Sequence, residues 1–228
     1  MVRVVLLVAP LLVVSGGCGA LGASTPPDSL QCGSDEAARR TDCPSSPALA
    51  AHLRDRWSLA PDARMTTTCV PGAFGAPAWL VHAIVAGTPH ERAATFLLQP
   101  TCAALTDPAL HDLGPGERDV ELEVRDLDGD TIDEVLARRT EADARGRSAY
   151  LEVLRVAAGR LLPAGKVRLE HDDGDTRCTS TLRYRPRPGG GQLIEVEAAG
   201  AAIAGDLCLM PGVHHLELSA GGLRRRMP

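Results

Sequence analysis

The stretch that decides the fold is Asp119-Val120-Glu121-Leu122-Glu123-Val124-Arg125-Asp126-Leu127-Asp128-Gly129-Asp130-Thr131-Ile132-Asp133-Glu134-Val135-Leu136. Its first six residues alternate strictly between charged and apolar side chains. Side chains of a strand point to opposite faces in turn, so this pattern describes a β-strand with one face buried. A cluster of turn-forming Asp and Gly residues follows, and an apolar segment resumes at Ile132. Strand, acidic turn, strand is the pattern of an antiparallel hairpin.

Working outward, short and partly β-branched segments bounded by Gly and Pro recur on both sides. Met65–Val70, Ala78–Val85 and Ala93–Leu98 precede the hairpin. Ile132–Arg138, Tyr150–Val156, Leu161–Leu169, Thr179–Tyr184, Leu193–Ala198 and Val213–Leu218 complete or follow it. Ser148–Leu162 has helical spacing at Leu151, Leu154 and Ala158. Tyr150, Val153 and Val156 favour a strand there, and Gly159 ends the run. Pro186–Gly191, with three glycines, reads as a loose connection, and Leu223–Arg226 as a solvated end. Ser46–Trp57 reads as a helix, with Ser46 as cap, Pro47 in the first turn and Leu49, Leu53 and Trp57 on one face. The expected fold is therefore mainly β: an antiparallel sheet, a sandwich or a partial propeller-like meander, with one N-terminal helix.

The N-terminus carries a different signal. Met1-Val2-Arg3 is basic, Val4–Val14 is apolar, and Ser15-Gly16-Gly17-Cys18-Gly19-Ala20 is small. This is the layout of a secretory signal, too short to span a bilayer. Residues 1–17 are read as the signal peptide, 18–46 as a Gly/Ser/Pro-rich tether and 47–228 as one β-rich domain. Ser-Gly-Gly-Cys resembles the bacterial lipobox, which implies a lipid on Cys18 and an envelope location, with the membrane as partner. Ser15 departs from the leucine that the pattern prefers. Cleavage after Ala20 or Ala23 by an ordinary signal peptidase is the alternative, leaving a periplasmic or secreted protein.

Seven cysteines fit an oxidising compartment. With Cys18 given to lipid, Cys32, Cys43, Cys69, Cys102, Cys178 and Cys208 form an even set for disulfides. Sequence proximity suggests Cys32–Cys43, Cys69–Cys102 and Cys178–Cys208. No two of them form a CxxC pair, which argues against a zinc ribbon or a thioredoxin-like site.

The acidic turn is the one motif that points to chemistry. Calcium takes about six to eight oxygen ligands, and carboxylates on alternate loop residues can converge on one ion. Asp126, Asp128 and Asp130 would occupy loop positions one, three and five. The Ile132 carbonyl would supply position seven, and Glu134 position nine, with Asp133 as the alternative. The segment resembles the calcium loops of FG-GAP and VCBS repeats over about residues 119–137, which implies bound Ca2+. It departs at Thr131, where that family often has Gly, and it lacks the Glu at position twelve of an EF-hand. A metal-free acidic hairpin is the alternative. His171-Asp172-Asp173-Gly174-Asp175-Thr176 echoes the motif but has Cys178 and Thr179 where later ligands would stand, so it reads as a plain turn.

Catalytic motifs are missing: there is no Gly-x-Ser-x-Gly, His-Glu-x-x-His or phosphate-binding loop. Seven histidines are scattered, and His82, inside an apolar strand, reads as a core residue. A net charge of -5 gives no electrostatic case for nucleic acid. The reading is a non-enzymatic envelope protein with a calcium-structured β domain and a protein or glycan partner. A metal-free structural protein and a secreted hydrolase or inhibitor stand as alternatives.

Overall fold

In the computed structural model the described residues are 43, 46–75, 77–86, 92–99, 104–112, 120–143, 146–200 and 209–226. The signal peptide, Cys18, Cys32, Cys102 and Cys208 lie outside them. Among the described residues one helix, α1 (Ser46–Arg56), precedes twelve strands. The first sheet holds β1 (Arg64–Ala73), β2 (Pro77–Ala86), β3 (Arg92–Leu98) and β4 (Ala109–Asp112), ordered β1-β2-β3-β4. The second holds β5 (Val120–Arg125), β6 (Glu134–Asp143), β7 (Gly146–Ala157), β8 (Arg160–Asp172), β9 (Arg177–Pro186), β10 (Gln192–Gly200), β11 (Gly212–Ser219) and β12 (Gly222–Arg225), in unbroken sequential order. All pairings between these strands are antiparallel, so both sheets are meanders.

Alternation along the strands explains how these sheets stack. In β2, Trp79, Val81 and Ala83 face α1, where Leu49, Leu53 and Phe96 join them. Ala78 and Leu80 face the other way, onto Val135, Leu154 and Leu161 of the second sheet. Both faces of β2 are covered, which is why its sequence is apolar on both faces but for His82. The expected stripe on α1 is realised: Leu49 and Leu53 are buried, and Trp57 meets Phe96 edge-on with ring centroids 5.6 Å apart.

The second sheet folds back on itself. β8 and β9 share only three residue pairs, Glu170–Asp172 with Arg177–Thr179. Beyond them the halves β5–β8 and β9–β12 diverge and close over one core. Leu136, Leu151, Val153 and Leu169 come from one half, and Ile194, Val196, Leu216 and Leu218 from the other. The bend is helped by register shifts between β7 and β8, one of them opposite Pro163. There β12 lies against β8, with Leu223 filling the space over Gly165. The stacking is thus α1, first sheet, β5–β8, β9–β12.

The mainly β, antiparallel expectation holds, and the layers are those of a sandwich. Three details differ from the sequence reading. β4 was not expected. Leu223–Arg226, expected to be a solvated end, supplies most of β12, because Leu223 finds an apolar seat on β8. Ser148–Leu162, by contrast, is strand as expected and contributes β7 and the start of β8. Finally, Cys43 bonds to Cys69 with Cα atoms 5.9 Å apart. That bond excludes the pairings Cys32–Cys43 and Cys69–Cys102. Folding, not sequence proximity, brought the partners together: Cys43 packs with Cys69 beside the α1 core. Cys178 is also disulfide-bonded, and its expected partner Cys208 lies outside the described residues. No helix among the described residues is long and apolar enough to cross a membrane.

Candidate metal centre

The acidic turn joins β5 to β6, as its sequence requires. Leu127 is fully buried and pins the turn to the core between the two half-sheets. Around it the carboxylates satisfy the backbone of their own loop. Asp126 Oδ1 accepts from Gly129 N at 2.7 Å and its Oδ2 from Thr131 N at 3.1 Å. Asp128 Oδ1 accepts from Asp130 N at 3.3 Å, and Asp130 Oδ1 from Ile132 N at 2.8 Å. These side-chain-to-backbone bonds set a tight loop, with Gly129 at φ 87° and Thr131 at φ 71°.

Three of the six expected ligand residues are brought together. Asp126, Asp128 and Asp130 each offer a carboxylate oxygen within 4.8 Å of the others. That spacing could hold a metal ion. Ile132, expected to contribute its carbonyl, makes an antiparallel bridge with Phe74, tying the loop to the end of β1. Asp133 is half-buried and outside the cluster. Glu134 turns inward: its side chain is 4% exposed, and its Oε2 accepts from Leu127 N at 2.9 Å. Burial pushes the Glu134 carboxyl up to about 7, the Leu127 N–H opposes the shift, and Asp128 adds to it. Glu134 therefore closes the base of the loop.

Two neighbours escaped the sequence reading. Arg155, on β7, pairs with Asp128 and stands 3.8 Å from Glu134. It offsets part of the negative charge that the sequence alone left unbalanced. The second is the β9–β10 turn. Gly191, at φ 74°, lies so close that a Cβ there would stand 2.6 Å from Leu127 O and 2.7 Å from Gly129 N. Gln192 N donates to Leu127 O at 3.0 Å. The glycines of Pro186–Gly191 thus form a tight contact against the acidic loop, in place of the loose connection expected. The Asp-Gly-Asp pattern following a strand identified the loop; the chain holds no local signal for Arg155 or Gly191, far along the sequence.

The echo at His171–Thr176 is the β8–β9 turn. Asp172 Oδ1 accepts from Gly174 N, and Asp173 Oδ1 from Asp175 N and Thr176 N. His82 is a buried core residue, its Nδ1 2.8 Å from Thr95 Oγ1. No protein-family model, curated protein or solved structure matches the chain.

Proposed function

We propose that this chain is an exported, lipid-anchored envelope protein whose β domain is stabilised by calcium at the β5–β6 turn and serves a binding or structural role. The observation that carries the calcium reading is the convergence of Asp126, Asp128 and Asp130. Like charges held that close repel unless a cation shares them. The lipobox-like Ser15–Cys18 and the even set of remaining cysteines support the export reading. Fatty-acid labelling that survives in Cys18→Ser would remove the anchor.

Thermal melting in EDTA, then in excess calcium, tests the metal. At about 100 times its dissociation constant, calcium adds about 2.7 kcal/mol, or roughly 5–10 °C for a chain of this size. The shift should vanish in the double variant Asp128→Ala, Asp130→Ala. No shift at millimolar calcium in the unaltered protein would defeat the proposal.

Arg155 favours one second reading, a metal-free structural joint in which the guanidinium supplies the balancing charge. The two readings part on Arg155→Gln. If calcium is the intended cation, removing the competitor increases the calcium-induced shift. If Arg155 is, the variant melts lower and calcium does not restore it.

A further inference from the structure

We propose that Ser148, His171 and Asp173 form a nucleophilic centre in which the Ser148 hydroxyl accepts acyl groups from activated carboxylic esters. Ser148 on β7 and His171 on β8 are direct register partners. Their Oγ and Nδ1 atoms are 2.9 Å apart. The other ring nitrogen, Nε2, is 3.3 Å from Asp173 Oδ2. A hydroxyl in contact with a base, and a base held by a carboxylate, is the arrangement that activates serine, and it is recognised by geometry and not by order in the chain. Here Nδ1 faces the hydroxyl; either ring nitrogen can accept a proton, provided the other carries one.

The β8–β9 turn decides which nitrogen that is. Asp173 Oδ1 is engaged by Thr176 N at 2.7 Å and Asp175 N at 3.1 Å. The carboxylate is thereby fixed, with Oδ2 presented to His171. The Thr176 N–H, and then the hydrogen bond from His171, hold the Asp173 carboxyl below its usual range, so it is an anion at neutral pH. An anion beside Nε2 places the proton there and leaves the Nδ1 lone pair for Ser148. His171 is well packed, its side chain 11% exposed, while Ser148 is half-buried and Asp173 lies at the surface. The centre sits at the β6–β7 end of these strands, opposite the β5–β6 turn, so it stands or falls independently of the calcium reading.

The step balances without a cofactor. Ser148 Oγ forms a bond to the ester carbonyl carbon, the carbonyl π pair moves onto oxygen, and the hydroxyl proton passes to His171 Nδ1. The carbonyl then re-forms, the bond to the leaving oxygen breaks, and the proton goes from Nδ1 to the departing alcohol. Water, deprotonated by the same nitrogen, releases the acid and restores Ser148. Asp173 is a positioning residue that stays ionised throughout.

The test is reaction of the full chain, purified in detergent, with a fluorophosphonate probe and with 4-nitrophenyl acetate. The expected result is one phosphonyl adduct, mapped to Ser148 by mass spectrometry, and a stoichiometric burst of 4-nitrophenolate. Both should be lost in Ser148→Ala. His171→Ala should slow labelling at least roughly tenfold, the lower end of what a general base supplies or below it. Asp173→Asn is the sharper variant. Its Oδ1 still caps the turn, but an amide NH2 facing Nε2 favours the tautomer with the proton on Nδ1, which cannot accept from Ser148. Labelling should slow while the melting temperature holds, and Asp173→Glu should recover part of the rate. No adduct on Ser148, or equal labelling rates in the unaltered, His171→Ala and Asp173→Asn proteins, would overturn the proposal.

Discussion

Thr131 has a β-branched side chain at φ 71°, a region that costs an ordinary L-residue about 1–2 kcal/mol. Glycine removes that strain but gains about 0.5–1 kcal/mol of unfolded-state entropy. The balance favours Thr131→Gly by up to about 1 kcal/mol, read as a higher denaturation midpoint at unchanged slope. Glu134 gives a pH signature with the opposite sense to most carboxylates. Its folded-state value near 7 lies above the ordinary 4.5, so the folded protein holds a proton that the unfolded chain releases. In calcium-free buffer this contribution to stability is complete below about pH 4.5 and is lost as pH rises through 7. Urea titrations across that window should show a declining stability that Glu134→Gln flattens; an unchanged slope in the variant would place the titrating group elsewhere. Asp126, Asp128 and Asp130 were legible as a cluster because alternate residues of a turn converge locally. That Glu134 faces inward was not, because its place depends on the buried Leu127 N–H.

At the scale of elements, the notable feature is two turns in backbone contact. Gly191→Ala would push a methyl group onto Leu127 O and Gly129 N and should cost about 2–3 kcal/mol. Gly174→Ala is the control: φ is 90° there too, but nothing lies within 4 Å, so only the conformational cost of about 1 kcal/mol applies. Chemical denaturation of the two variants checks the difference; equal losses would mean that the contact contributes nothing. Strands were readable wherever alternation or a β-branched run was present, as in Val120–Val124 and Ala78–Val85. β12 was not, since Leu223-Arg224-Arg225 has one apolar residue and its seat is on β8. β4 lies in a stretch, Ala109–Asp112, too short for periodicity to show.

For the whole molecule, the layers are tied at one end by Cys43–Cys69, which closes a 26-residue separation around α1. Loop-closure entropy assigns such a crosslink about 3–4 kcal/mol. Replacing both cysteines by serine should lower stability by about that amount, and non-reduced peptide mapping should recover the Cys43–Cys69 crosslink; recovery of Cys32–Cys43 instead would refute this pairing. The sequence by itself determined the class of fold, the antiparallel order of its strands, the acidic turn and the apolar stripe of α1. These are local properties, set by side-chain period, turn chemistry and capping within a few residues. Only the tertiary structure decided which cysteines pair, which charge faces Asp128, and that the second sheet folds upon itself to bring Gly191 against Gly129 and β12 against β8. Each joins residues distant in the chain, and their meeting is set by how whole faces find their cover.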